Sequence, residues 1–212
     1  MGGRPHDDTG ARDVGDATAQ RAYAERLAAI SGVRWKRLLH VQAVYQAHVR
    51  HLRLGRAVDV GCGIGRNLRS LGPGSVGVDH NPYSVAIARR AGLDARTVDE
   101  FFADPAASAP GTYDGLLAAH LVEHLSPPDA RAVLGRYVPL VRPGGTVAFI
   151  TPQERGYRSD PTHVTFARHE ELVELAHDLG LVVDRTYSFP FPRVAGHVFV
   201  YNEFTLRAHV PA

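Results

Sequence analysis

"VDVGCGIG", Val58–Gly65, is an apolar run that breaks into three glycines at alternate positions. So short an apolar stretch, bounded by glycine, reads as a buried strand entering a tight turn. Glycine permits such turning and lets the backbone approach a ligand closely. Ile64–Leu71 then has helical character, so strand, glycine turn and helix open a β-α-β unit. The spacing is G-x-G-x-G, not the G-x-G-x-x-G of dinucleotide folds. No Lys-Ser/Thr pair follows it, as a nucleotide-triphosphate loop requires.

Downstream the alternation repeats. "SVGVDH", "DARTV", "YDGLLAA" and "TVAFI" read as strands two to five, the last after the turn "RPGG". Helices are expected over Pro82–Ala91, Pro128–Val141 and about His169–Leu179, with Gly180 as the final cap. Strands joined through helices pair in parallel by right-handed crossovers. After Gly180 the pattern changes. "LVVDRTYSF" and "HVFVYNEFTLRA" are strands separated only by the loop "PFPRVAG", so an antiparallel hairpin closes one side of the sheet. The fold class is α/β, a doubly wound, seven-stranded, Rossmann-like sheet with an antiparallel C-terminal hairpin. Asp79 ends strand two, where an acid can hydrogen-bond both hydroxyls of a ribose.

Upstream, residues 1–17 are Gly, Asp, Arg and Ala without apolar periodicity and read as a disordered tail. Tyr23, Leu27 and Ile30, then Trp35, Leu38, Leu39, Gln42 and Tyr45, fall near helical spacing, with Gly32 dividing two helices. Residues 18–212 then form one domain, a helical lid over 18–54 on a core over 55–212. "HVRHLR", residues 48–53, is either a solvated basic face or part of a lid over the site. At 212 residues, 44% hydrophobic and 22% charged, the chain matches an ordinary globular protein with one full core. No apolar run is long enough to span a membrane, and the N-terminus lacks an apolar signal core. A cytoplasmic location is expected. A net charge of +2 is too small to announce nucleic acid, and a single cysteine, Cys62, excludes an internal disulfide.

"AAHLVEHLS", Ala118–Ser126, contains His-x-x-Glu-His: His120, Glu123 and His124. That spacing occurs in inverted zinc peptidases, whose histidines share a helix face. Here the stretch follows strand four directly, and Pro127 and Pro128 leave it little helix. A hydrolase is therefore not the reading.

The stretches "VDVGCGIGRNL", "GVDHN", "YDGLLAAHLVEHL" and "VRPGGTVAFITP", in this order, resemble class I S-adenosylmethionine-dependent methyltransferases over about Val58–Gly180. The resemblance implies that Gly61, Cys62, Gly63 and Gly65 line the methionine portion of the cofactor and that Asp59 orients their loop. It implies that Asp79 binds the ribose with His80 beside it, that Asp99 meets the adenine amino group, and that Ala119 and His120 border the methionine moiety. In the ubiquinone-pathway and small-RNA 2′-O-methyltransferases a Glu-x-x-Glu-His here holds a divalent ion. In the RNA enzymes a further histidine follows "TP". This chain has "TPQERGYRSDPTHVTF" with His163, but His120 stands where those enzymes have Glu. The implied metal set is His120, Glu123, His124 and His163. Mg²⁺ prefers oxygen, so Mn²⁺, Co²⁺ or Zn²⁺ would suit such a set better. The alternative is that the pair packs locally and holds no ion.

A sugar-type hydroxyl is a poor nucleophile unless nearly deprotonated. A base can do this, and here it would be His120, then His163. A metal can do it instead by lowering the hydroxyl pKa. The two mechanisms compete for the same side chains. Trp35, Arg37, Tyr45, His48 and His51, with Phe189, Phe191 and Arg193 of "YSFPFPRVAG", suit carbohydrate, aromatic or nucleotide ligands and equally suit rim packing. In size and in "DPTHVTF" the chain is similar to bacterial, notably mycobacterial, sugar O-methyltransferases. That similarity implies a small hydroxylated acceptor, a mannoside among them. An RNA 2′-hydroxyl or aromatic hydroxyl is the rival acceptor, and a cofactor-binding regulatory protein without turnover is the rival of another class.

Overall fold

The computed structural model describes residues 35–212, with side chains from Gln42 onward. The expected tail over 1–17, the first of the two helices and the Gly32 break lie outside the described residues, as do the side chains of Trp35 and Arg37. The second expected helix is α1, Trp35–His51. Its buried side chains, His48 and Val49, continue into Leu52 and Leu54, while Arg50, His51 and Arg53 are exposed. The basic stripe is therefore solvated, with His48 as the exception.

Seven strands form one sheet: β1 Ala57–Val60, β2 Val76–Asp79, β3 Ala95–Thr97, β4 Tyr113–Ala119, β5 Val141–Pro152, β6 Val182–Phe189 and β7 Glu203–His209. Their order is β3-β2-β1-β4-β5-β7-β6. The first five run parallel, and β7 lies antiparallel between β5 and β6. All residues of β1 and β2 are buried, as strands covered on both faces must be. The order reverses between β1 and β4, and a doubly wound sheet opens a crevice at the carboxyl ends of the strands flanking such a reversal. The antiparallel β7 presents its first residue, Glu203, opposite Pro152, the last residue of β5. An N-terminal strand residue thus reaches the edge where the parallel strands end.

The remaining helices are α2 Pro82–Arg90, α3 Val98–Ala103, α4 Pro127–Gly135, α5 Glu154–Tyr157 and α6 His169–Asp178. Where the sequence suggests a helix over Ile64–Leu71, only a 3-10 turn forms at Leu68–Ser70. Gly63 and Gly65 hold φ of 53° and 79°, outside helical space, so no first turn nucleates there. The helix expected over Pro128–Val141 stops at Gly135, and a 3-10 turn follows at Val138–Leu140. Pro139 has no N–H with which to continue the ladder. The last strand starts at Glu203 rather than His197, because Arg193–His197 forms a 3-10 turn. Helix α3 was not foreseen. Thr97 accepts from Glu100 N at 3.3 Å while Glu100 Oε2 accepts from Thr97 N at 2.8 Å, a capping box that is visible in the sequence as Thr-x-x-Glu. Among the described residues, no helix is long and apolar enough to cross a membrane.

Candidate active site

The glycine loop turns off the end of β1. Gly61 N and Cys62 N donate to Val78 O at 2.8 and 3.1 Å, tying the loop to β2. Gly61 and Gly63 both have positive φ, at 76° and 53°. A Cβ at Gly61 would press on Leu121, whereas at Gly63 it would meet nothing within 4 Å. The loop is therefore packed behind and open in front. Asp79 fixes it: Oδ2 accepts from Gly63 N and Oδ1 from Asn81 N, each at 2.8 Å. Asp59 is buried beneath, and its Oδ2 has no hydrogen-bond partner. Burial, with Asp79 beside it, pushes its carboxyl up to about 7.

The other expected cofactor residues divide. The Cys62 side chain packs into the core with Leu68 and Val85, so only its backbone belongs to the loop. Burial pushes its thiol up. His80 is 78% exposed, its Nδ1 3.6 Å from Asp79 Oδ1. Asp99 is exposed on the first turn of α3. Ala119 is buried at the end of β4 and lines a cavity.

His120 follows in the left-handed region, at φ 58°, with its N–H donating to Ile150 O at 2.9 Å. A non-glycine residue rarely adopts that conformation. Here it turns the imidazole between two carboxylates. Nδ1 lies 3.1 Å from Glu123 Oε1 and Nε2 lies 2.9 Å from Glu203 Oε1. Burial works against a charged ring, but the two carboxylates outweigh it and push His120 up to about 10. With both ring nitrogens donating, no lone pair would be left to take a proton or bind a metal. The residue expected as base and metal ligand is thus held in hydrogen bonds to both carboxylates.

A cavity of about 430 Å³ opens in front of the loop. Ala119, His120 and Glu203 form one wall, Ile64, Asn67 and the two arginines Arg66 and Arg69 another, and Gln42, Tyr45, Gln46 and Val49 of α1 cover it. Helix α1 is pinned over the hairpin. His48 stacks on Phe189 with ring centroids 3.9 Å apart and shares a 2.7 Å hydrogen bond with the Tyr187 hydroxyl. The Tyr45 hydroxyl donates to Tyr201 O. Of the other candidate ligand-facing groups, Phe191 is exposed and Arg193 is paired with Glu154.

Behind His120, Glu123, His124 and His163 each offer one donor atom, all within 4.8 Å of one another. The loops after β4 and β5 meet as strand adjacency requires. His163 Nδ1 donates to Tyr157 O at 2.8 Å, and His124 Nδ1 faces Thr162 O at 3.4 Å. The Thr162 hydroxyl also lies 3.2 Å from His124 Nδ1. Carbonyl oxygens only accept, so a neutral ring that donates through Nδ1 would leave Nε2 as the acceptor, the arrangement that metal-binding histidines adopt. Glu123 is fully buried and its Oε2 has no partner. These three side chains fit a divalent ion, and they join the cavity wall through the Glu123–His120 hydrogen bond.

Glu203 is the site residue that sequence reasoning missed. It lay mid-strand in "HVFVYNEFTLRA", where alternation marks no strand start.

A family model described as "Methyltransferase domain" matches residues 23–209. The ubiquinone biosynthesis O-methyltransferase of Burkholderia multivorans is 38% identical over 108 residues, 48% of this chain and 46% of that protein. Its Bordetella pertussis counterpart is 34% identical over 103 residues, 45% of this chain and 42% of that protein. The match thus spans under half the length of these curated relatives. A crystal structure of a SAM-dependent methyltransferase from Archaeoglobus fulgidus superposes with a TM-score of 0.61 at 18% identity, over 79% of this chain and 94% of that one. At that identity the likeness establishes the fold.

Proposed function

The chain belongs to the methyltransferase-domain family, and on that premise we propose that residues 18–212 are one domain transferring a methyl group from S-adenosylmethionine to a hydroxyl of a small acceptor, a sugar such as a mannoside first. The observation that carries the reading is the carboxylate–imidazole pair Glu203–His120 on the wall of a cavity that opens from the glycine loop. Amine and thiolate acceptors need little activation, but a hydroxyl needs help in losing its proton. Polar amides and arginines around that cavity support a hydroxylated acceptor. The curated relatives, named as O-methyltransferases of ubiquinone biosynthesis, favour oxygen and keep an aromatic hydroxyl as the second reading.

The residues present suit the cofactor. The open face at Gly63, the carboxylate of Asp79 and the orphaned Oδ2 of Asp59 offer a cradle for a ligand bearing ribose hydroxyls and an ammonium. When bound, S-adenosylmethionine supplies an electrophilic methyl carbon. The protein's part is to hold the acceptor oxygen in line with it, near 3 Å, and to exclude water under α1. Glu123, His124 and His163 would hold a divalent ion of the Mn²⁺, Co²⁺ or Zn²⁺ kind, which would supply charge beside the His120 clamp.

The test pairs binding with turnover. Isothermal titration with S-adenosylhomocysteine should show saturable binding, weakened at least about tenfold (about 1.4 kcal/mol) in Asp79→Ala. A screen of defined mannosides, glucosides, catechols and short RNAs should then find methyl transfer to a sugar hydroxyl. Absent binding would remove the cofactor, and transfer confined to catechol or RNA would replace the sugar.

A further inference from the structure

Resting on that hydroxyl reading, we propose that Glu203 is the catalytic base, the group that takes the proton from the acceptor hydroxyl. Position argues for it first. Glu203 lies at the carboxyl edge because β7 runs antiparallel to β5, and it lines the cavity beside Ala119 and His120. Its neighbours hold it still. Gln153 Nε2 donates to Glu203 O at 3.0 Å, and Gln153 Oε1 accepts from Asn202 Nδ2 at 2.9 Å. Both amide side chains are fully buried.

Elimination argues second. His120 offers no free nitrogen, since each points at a carboxylate. One Glu203 oxygen receives His120 Nε2. A carboxylate has about four lone-pair sites, so acceptor capacity remains. His163 lies behind His120 and is not among the residues that line the cavity. Burial raises the proton affinity of Glu203, which suits a base, and His120 opposes that shift. The groups facing it are His120 and Glu123 beyond β4, Tyr45 on α1 and Tyr187 on β6, with Arg66 and Arg69 across the cavity.

The step balances as follows. The acceptor O–H bond breaks and its proton passes to a Glu203 oxygen. The freed pair on oxygen forms the bond to the sulfonium methyl carbon. The carbon–sulfur pair leaves with sulfur, giving the neutral thioether of S-adenosylhomocysteine. Glu203, then neutral, returns its proton to solvent after product release.

Glu203→Gln keeps the size of the side chain and one acceptor oxygen for His120 Nε2 and removes the base. Methyl α-mannoside, catechol and 4-nitrocatechol are used as acceptors of rising acidity, with S-adenosylhomocysteine titration as the control for the fold. The expected result is a kcat loss of roughly 100- to 10,000-fold on the mannoside, a smaller loss on catechol and under about tenfold on 4-nitrocatechol, whose oxygen ionises without help. S-adenosylhomocysteine binding should not change. An equal loss on all acceptors, or none, overturns the base assignment and leaves the hydroxyl reading standing. Wild-type protein that binds S-adenosylhomocysteine but methylates none of the three overturns both. If Glu203→Gln unfolds, Glu203→Asp is measured the same way. It should show the same dependence on acceptor acidity, and a uniform loss overturns the assignment.

Discussion

His120 joins two carboxylates, Glu123 three positions on and Glu203 on β7, 83 positions on. A base or a metal ligand needs a lone pair, and a ring that donates to both carboxylates would have none. Half of the clamp was legible, because His-x-x-Glu puts the two side chains one turn apart after a strand. The other half was not, because nothing local marks Glu203 until β5 and β7 pair. The trio Glu123, His124 and His163 was legible as a donor set. The sequence placed its members near one another through strand adjacency, and the orphaned Glu123 Oε2 supplies the reason an ion would be held. Zn²⁺ or Mn²⁺ should raise the thermal midpoint of chelator-stripped protein by several degrees, as a ligand of the native state does. The rise should disappear in His163→Ala. An equal response in the variant would reduce the trio to packing.

At the scale of elements, the cover of the cavity depends on how α1 meets the hairpin. His48 is the pin, 5% exposed, stacked on Phe189 and bonded to Tyr187. Burial, with His51 and Arg185 nearby, holds its pKa down at about 4. Above pH 6.5 His48 is neutral in both states and costs nothing. Below 6.5 the unfolded chain takes up a proton that the folded chain refuses until about pH 4. Stability therefore falls across that window by up to roughly 3 kcal/mol from this one group. Urea denaturation between pH 4 and 7 should show a shallower decline in His48→Phe than in wild type, and parallel declines would contradict the assignment. The helical spacing through Gln42 and Tyr45 predicted α1 itself. Its docking partner was hidden, because Phe189 reads as an ordinary strand residue until β6 folds back under the helix.

Across the whole molecule, the parallel half of the sheet was readable and the irregular parts were not. A short run such as Ala57–Val60, bounded by glycines, reads as a buried strand, and the glycines after β1 mark the crevice. The same glycines suppressed the helix expected over Ile64–Leu71, and Arg193–His197 shortened the last strand. In each place a local turn overrode periodicity, and the first turn sets Arg69 on the cavity wall. The sheet order supplies the rest of the site. Reversal between β1 and β4 sets the cofactor cradle, and the antiparallel β7 delivers a carboxylate to its edge. The most direct measurement is the fate of a ¹³C-labelled methyl group. Protein, labelled S-adenosylmethionine and a mannoside acceptor should yield S-adenosylhomocysteine in step with a labelled methyl ether on the sugar, resolved by NMR. Label appearing on no acceptor oxygen, or only on nitrogen or sulfur when amines and thiols are supplied, would contradict the account.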